Sequence, residues 1–272
     1  MVLKFWKMSG AGNDFVCLDN RRKQLRLSKK QIAALCHRQF GIGADGLLVV
    51  EPGDTRHDFR MRYYNADGGE AEMCGNGARC FARYARQISN FQKPVMAIRT
   101  KAGTVTAEFL GEEVRVGLTA PQDEAPSRVL ATSERRLVVH SINTGVPHAV
   151  ILVDDLEKVE NLDIRKLGAE VRWHAQFEPK GTNVNFVQSL GDRRLRVRTY
   201  ERGVEDETLA CGTGVAASAL VASRVLGFRS PVQIKVQGGD TLKVYFDLND
   251  GAFAHVRLQG PADFVFEGEI DV

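Results

Sequence analysis

Along most of the chain, apolar and polar residues alternate with the two-residue period of strands. Runs rich in Val, Ile, Leu, Phe and Tyr, bounded by turn-forming residues, predict strands at 3–8, 14–18, 47–50, 59–64 and 95–100. A second series is predicted at 149–153, 184–187, 195–200, 232–236 and 242–246. Helical spacing is rarer. Ser28 and Gln31 form a capping box ahead of IAALCHR, with Gly41 as a stop. GARCFARYARQI starts at Gly77 and places Phe81, Tyr84, Ala85 and Ile88 on one face. GVAASALVASRVLG starts at Gly214 and is small and apolar all round, the pattern of a buried helix.

The pattern also repeats at long range. MRYYNADGGEAEMCGNGARC and VRTYERGVEDETLACGTGVAA both run strand, acidic loop, Cys-Gly-x-Gly, helix. Tyr200 follows Tyr64 by 136 positions, and Cys211 follows Cys74 by 137. IRTKAGTVTAEF and IKVQGGDTLKVYF, aligned on Gly103 and Gly239, are again 136 apart. A looser pair, GAGNDFVCLD and TGVPHAVILVDD, sets Asn13 opposite His148 at a shift of 135. These pairs predict an α+β chain of two pseudo-symmetric halves, each a strongly curved sheet or barrel around one central helix. The expected halves are residues 1–118, with 262–272 returning to them, and residues 119–261.

Composition narrows the function. A chain of 272 residues with 43% hydrophobic and 26% charged residues fits one or two globular domains with real cores. The net charge is only +3 and no basic stripe stands out, so nucleic acid is not an expected partner. No apolar run reaches the roughly 18 residues needed to cross a bilayer. The N-terminus lacks the apolar core of a signal peptide. Five cysteines without a framework spacing fit a reducing cytoplasm, where each thiol is free. Cys17, Cys36 and Cys80 sit within apolar patterns and are expected to pack.

Cys74 and Cys211 are different, because each precedes a predicted helix. Unpaired N–H groups and the helix dipole favour a thiolate there. The following glycines let a ligand approach the backbone, and the same N–H groups can seat a carboxylate. Two such loops in two related halves predict one thiol on each face of a substrate α-carbon. One would remove the α-proton and the other would return a proton from the opposite side. Two thiols so placed are expected to form a disulfide reversibly when oxidised. No Cys-x-x-Cys pair supports a zinc site. GAGND and GIGADG lack the spacing of a dinucleotide loop.

With these motifs in hand, the chain resembles the diaminopimelate epimerase family over essentially its full length. The resemblance rests on KMSGAGNDFV, GADGLLVVE, YYNADGGEAEMCGNGARC, NTGVPHAV, GTNVNFV, YERGVEDETLACGTG and the closing GPA. It implies interconversion of LL- and meso-2,6-diaminopimelate, a step toward lysine and cell-wall precursor. It implies no cofactor or metal, a cytoplasmic enzyme, and a homodimer. Carried over by motif, Cys74 and Cys211 are the acid–base pair. Gly75 and Asn76, with Gly212 and Thr213, supply N–H groups to the reacting carboxylate. Asn13, Asn65, Asn183, Glu201 and Arg202 contact substrate, and His148, with Glu201, supports catalysis. A forked Arg202 suits a second carboxylate and Glu201 an ammonium. The chain departs from some members at Val146, where they carry Asn, at Gly46, where they carry Gln, and at Phe266, where they carry Tyr near a dimer contact. VEDET is one residue longer than in some members.

Three rivals stand beside this expectation. The first is a two-thiol racemase of the proline racemase type, which needs no distal recognition by Glu201 and Arg202. The second is an isomerase of the phenazine-synthesis type, which lacks the thiol pair. The third is a non-catalytic binding protein that keeps the cleft.

Overall fold

The computed structural model describes residues 2–153 and 163–272, so Asp154 and Asp155, the tail of the third sequence pair, lie outside the described residues. The chain divides into two compact units, residues 1–117 with 260–272, and residues 118–259. No helix among the described residues is long and apolar enough to cross a membrane.

Unit 1 opens with an antiparallel hairpin of Val2–Gly10 and Asn13–Asp19. Helix α1 (Lys29–Cys36) then crosses over to Gly46–Pro52, which lies parallel to Asn13–Asp19. Phe59–Asn65 follows antiparallel, with the short Glu70–Ala71 beside it. Helix α2 (Gly75–Ser89) makes the second crossover, to Val95–Thr100, parallel to Phe59–Asn65. Gly103–Leu110 and Glu113–Gly117 complete a meander. Asp263–Asp271 returns to pair antiparallel with Val2–Gly10.

The parallel strands are apolar on both faces, as strands covered on two sides must be. Val16, Leu18, Leu47 and Val49 pack with Ile32 and Leu35 of α1. The alternate residues Phe15, Cys17, Leu48 and Val50 are also fully buried. Phe15 and Leu48 lie against Gly77, in the first turn of α2. The capping box forms as expected, but α1 stops at Cys36. His37 is already extended, and the chain folds back through Ile42 N–H to Leu35 O and Ala44 N–H to Cys36 O. Gly41 therefore closes the turn after the helix rather than the helix itself.

Unit 2 repeats this order. Gln122–Ala131 flanks Arg136–Asn143 as Asp263–Asp271 flanks Val2–Gly10. Arg136–Asn143 and Pro147–Val153 form the hairpin. Helix α3 (Ile164–Arg172) precedes Asn183–Ser189, parallel to Pro147–Val153. Arg194–Glu201 and Asp206–Thr208 follow. Helix α4 (Gly212–Leu226) leads to Val232–Lys235, Thr241–Asn249 and Ala252–Pro261. The core sets Ile164, Leu167 and Val171 of α3 on Val184, Phe186 and Tyr200. Helix α4 packs against Pro147–Val153 and Asn183–Ser189. Its first ten residues are buried except Thr213, but the last turn emerges, with Val225 and Leu226 exposed. Burial all round thus holds only for the first part of that helix.

Strand register measures the likeness of the units. Phe59 pairs with Ile98, and Leu195 with Ile234, both members shifted by 136 positions. Leu47 pairs with Tyr64, and Val184 with Tyr200. The third sequence pair needs correction. Phe15 lies beside Gly46, while His148 lies beside Asn183. His148 therefore occupies the place of Phe15, and Asn13 corresponds to Val146. The crossover loop is longer in the second half, which hid the two-residue offset from a comparison of loops alone.

Candidate active site

Each cysteine singled out by sequence is the N-cap of its unit's central helix. Cys74 caps α2 with extended backbone angles, and its Sγ accepts the Gly77 N–H at 3.4 Å. The Cys74 thiol also reaches Asn13 Oδ1 at 3.6 Å. The Asn13 amide is held in turn, donating to Asp45 Oδ2 at 2.7 Å. Arg38 braces the base of this chain, at 2.6 Å from Asp45 and 3.0 Å from Asp14. Burial opposes the charge of Asp14, but its bonds to Arg38 and Lys7 outweigh this and hold its pKa down at about 2. Asn76 is buried and turns its side chain inward, accepting from Arg79 at 2.9 Å. What Gly75 and Asn76 offer at the helix start is therefore backbone N–H groups.

Cys211 caps α4, and its Sγ lies 3.5 Å from the Thr213 hydroxyl. Thr213 Oγ1 is 2.9 Å from His148 Nε2, and its carbonyl accepts from the buried Thr144 hydroxyl at 2.8 Å. His148 is 1% exposed. Burial, and secondarily the positive charge of Arg202, push its pKa down to about 3. Near neutral pH the ring is therefore held uncharged. Asn183 ties two loops together: its Oδ1 accepts the Arg202 N–H at 2.8 Å and its Nδ2 donates to Pro147 O at 3.0 Å. Glu201 accepts from the Thr208 hydroxyl at 3.0 Å.

Hydrogen bonds thus join Asn13 to Cys74, which Gly75 and Asn76 follow in the first turn of α2, in unit 1. In unit 2 they bring together Cys211, Gly212, Thr213 and His148, and separately Asn183 with Arg202. Asn65 is the exposed last residue of the strand Phe59–Asn65, its N–H bonded to Gly69 O at 2.9 Å, and joins none of these bonds. The departure at Gly46 has a steric cause. A Cβ there would meet Tyr64 O at 2.5 Å and the Tyr63 ring at 2.7 Å, so no larger side chain fits this backbone. Among the described residues, no three His, Cys, Asp or Glu side chains are grouped to hold a metal.

One residue of this network escaped the sequence reading. Asn185 is fully buried and joins His148, Ala149 and Thr199. It lies in the GTNVNFV motif two residues after Asn183 and is one of several polar residues in that strand, so nothing in the sequence set it apart.

Comparison with known proteins places this geometry. The family model for diaminopimelate epimerase matches residues 5–122 and 140–261. The diaminopimelate epimerase of Aquifex aeolicus is 40% identical over 98% of both chains. That of Methanocella arvoryzae is 44% identical over 99% of this chain and 97% of its own. Among solved structures, a phenazine biosynthesis protein of the PhzF family from Bacillus anthracis superposes with a TM-score of 0.76 at 16% identity, over the whole of both chains. A hydroxyproline epimerase from Agrobacterium vitis does so with a TM-score of 0.71 at 16% identity, over 99% of this chain and 92% of its own. These two share the fold. The sequence relationships carry more, and by them the chain belongs to the diaminopimelate epimerase family.

Proposed function

We propose that the chain interconverts LL- and meso-2,6-diaminopimelate, with Cys74 and Cys211 as the acid–base pair. Family membership supports the reaction. The observation that carries the residues is the same device in each unit: a cysteine at the N-cap of the central helix, followed by Gly-Asn-Gly or Gly-Thr-Gly.

The chemistry follows from that device. One thiolate takes the α-proton; the C–H bond breaks and its electron pair spreads into the neighbouring carboxylate. The other thiol gives its proton to the opposite face, and a new C–H bond forms. The two sulfurs end with their protonation states exchanged, so the reverse reaction starts where the forward one stops. An α-proton of an amino acid is weakly acidic, so the growing carboxylate charge needs donors. First-turn N–H groups of Gly75 and Asn76, and of Gly212 and Thr213, are assigned that task. Arg202 and Glu201 are assigned to the carboxylate and ammonium of the distal centre, with Asn13, Asn65 and Asn183 completing the contacts. The reaction as proposed uses no cofactor. We further propose that the enzyme works in the cytoplasm as a homodimer.

The test is deuterium incorporation from heavy water, with LL-diaminopimelate and proline offered separately to reduced protein. Label is expected at the α-carbon of diaminopimelate only, with a loss of at least ~100-fold in Cys74→Ser and Cys211→Ser. Label in proline alone overturns the substrate. Full activity in the double Cys→Ser variant overturns the acid–base roles.

A further inference from the structure

The hydrogen bonds from Asn185 through His148 to Thr213 can be oriented starting from a backbone carbonyl. Asn185 Nδ2 lies 3.0 Å from Ala149 O, which can only accept. The amide nitrogen, not the oxygen, must therefore occupy that end. The same nitrogen is 3.1 Å from His148 Nδ1, so its second hydrogen points there and Nδ1 is the acceptor. A neutral imidazole carries one ring proton, which is then on Nε2. Nε2 donates to Thr213 Oγ1 at 2.9 Å. The hydroxyl, accepting from Nε2, keeps its own hydrogen to give, and Cys211 Sγ lies 3.5 Å away.

We propose that Asn185 is a positioning residue for Cys211: by fixing the tautomer of His148 it makes the Thr213 hydroxyl a hydrogen-bond donor to the sulfur, favouring its thiolate. This rests on the reading that Cys211 serves as acid and base. It assigns roles to Asn185 and to the Thr213 side chain, where the proposed reaction uses only the Thr213 backbone.

The surroundings hold the chain of bonds in one sense. Asn185 Oδ1 accepts from the buried Thr199 hydroxyl at 3.0 Å. The same oxygen sits over Gly214, where a Cβ would meet it at 2.2 Å. Glycine at 214 is thus needed for Asn185 to reach under the helix start. Thr144 pins the Thr213 carbonyl from the other side. The charged group that bears on His148 is Arg202, and together with burial it keeps the ring neutral. The direction of donation therefore does not change across the working range of pH.

The experiment measures the Cys211 thiol directly, without substrate. Reduced full-length protein is treated with iodoacetamide from pH 5 to 10, and the Cys211 peptide is followed by mass spectrometry. Thr213→Val is expected to raise the apparent pKa of Cys211 by about one unit, a tenfold loss of rate below the midpoint. Thr213→Ser is expected to keep the wild-type profile. Asn185→Asp, whose carboxylate can only accept, draws the imidazole proton to Nδ1 and is expected to act like Thr213→Val. Nitrogen-15 spectra of the wild type test the tautomer with no variant: Nδ1 must show the unprotonated shift and Nε2 the protonated one. A protonated Nδ1, or an unmoved profile in Thr213→Val, overturns the proposal. Failure of the diaminopimelate assay with these results intact would instead overturn the assigned reaction.

Discussion

Acidification tests whether His148 is buried as a neutral ring. In the unfolded chain a histidine titrates near 6.5, whereas in the folded protein His148 does so at about 3. Between these values the unfolded state binds a proton that the folded state refuses. Stability must then fall as pH drops through 6.5, and the loss is complete only near pH 3. Each pH unit in this window is worth about 1.4 kcal/mol for one group. From pH 7 to pH 5 the contribution of His148 is roughly 2 kcal/mol, because titration of the unfolded chain has barely begun at pH 7. The measurement is urea unfolding at both pH values, for wild type and His148→Gln. Glutamine carries no charge at either pH, and other groups titrate alike in both proteins, so they cancel in the difference. Wild type is expected to lose about 2 kcal/mol more than the variant. Equal losses would mean that the folded ring takes up a proton normally, and the assignment of Nδ1 as acceptor of the Asn185 amide would fall with it.

Two further outcomes are expected. Gly214→Ala places a methyl 2.2 Å from Asn185 Oδ1 and should destabilise the protein by about 1–3 kcal/mol in thermal unfolding; an unchanged midpoint would refute the close approach. At pH 8 and without denaturant, Cys17, Cys36 and Cys80 should escape iodoacetamide, since burial raises Cys36 to about 11, Cys80 to about 12 and Cys17 well above the usual thiol range; labelling of any of them as fast as Cys211 would refute their packing role.

The strongest signals in the sequence were local and doubled. Each of the ten predicted strands coincides with one in the structure, because Val, Ile and Leu runs between turn residues are read within a few positions. The helix-capping cysteines were legible for the same reason, since Cys-Gly-x-Gly before a helical pattern occurs twice. Helix α3 was missed. Ile164, Leu167 and Val171 have helical spacing, but Gly168 interrupts the pattern as a breaker would. In the structure that glycine is where α3 meets Tyr200: a Cβ would lie 2.5 Å from the Tyr200 Cβ. The strand Gln122–Ala131 was not predicted, since its Pro and acidic residues face water and leave no alternating apolar pattern there. The Asn185–His148–Thr213 chain was invisible for another reason. Its members are 37 and 65 positions apart; the parallel pairing of Pro147–Val153 with Asn183–Ser189 joins the first two, and the packing of α4 on those strands brings in Thr213.

The return of Asp263–Asp271 to Val2–Gly10 orders events during synthesis. Eight positions pair, from Val2 with Asp271 to Ser9 with Asp263. Val2–Gly10 must therefore wait until everything between it and Asp263–Asp271 has been translated before that neighbour arrives. Until then its hydrogen-bonding edge is open, and an open edge is a template for any other strand nearby. Nascent chains held at high density on one message, or cut short before Asp263, would carry that edge uncovered.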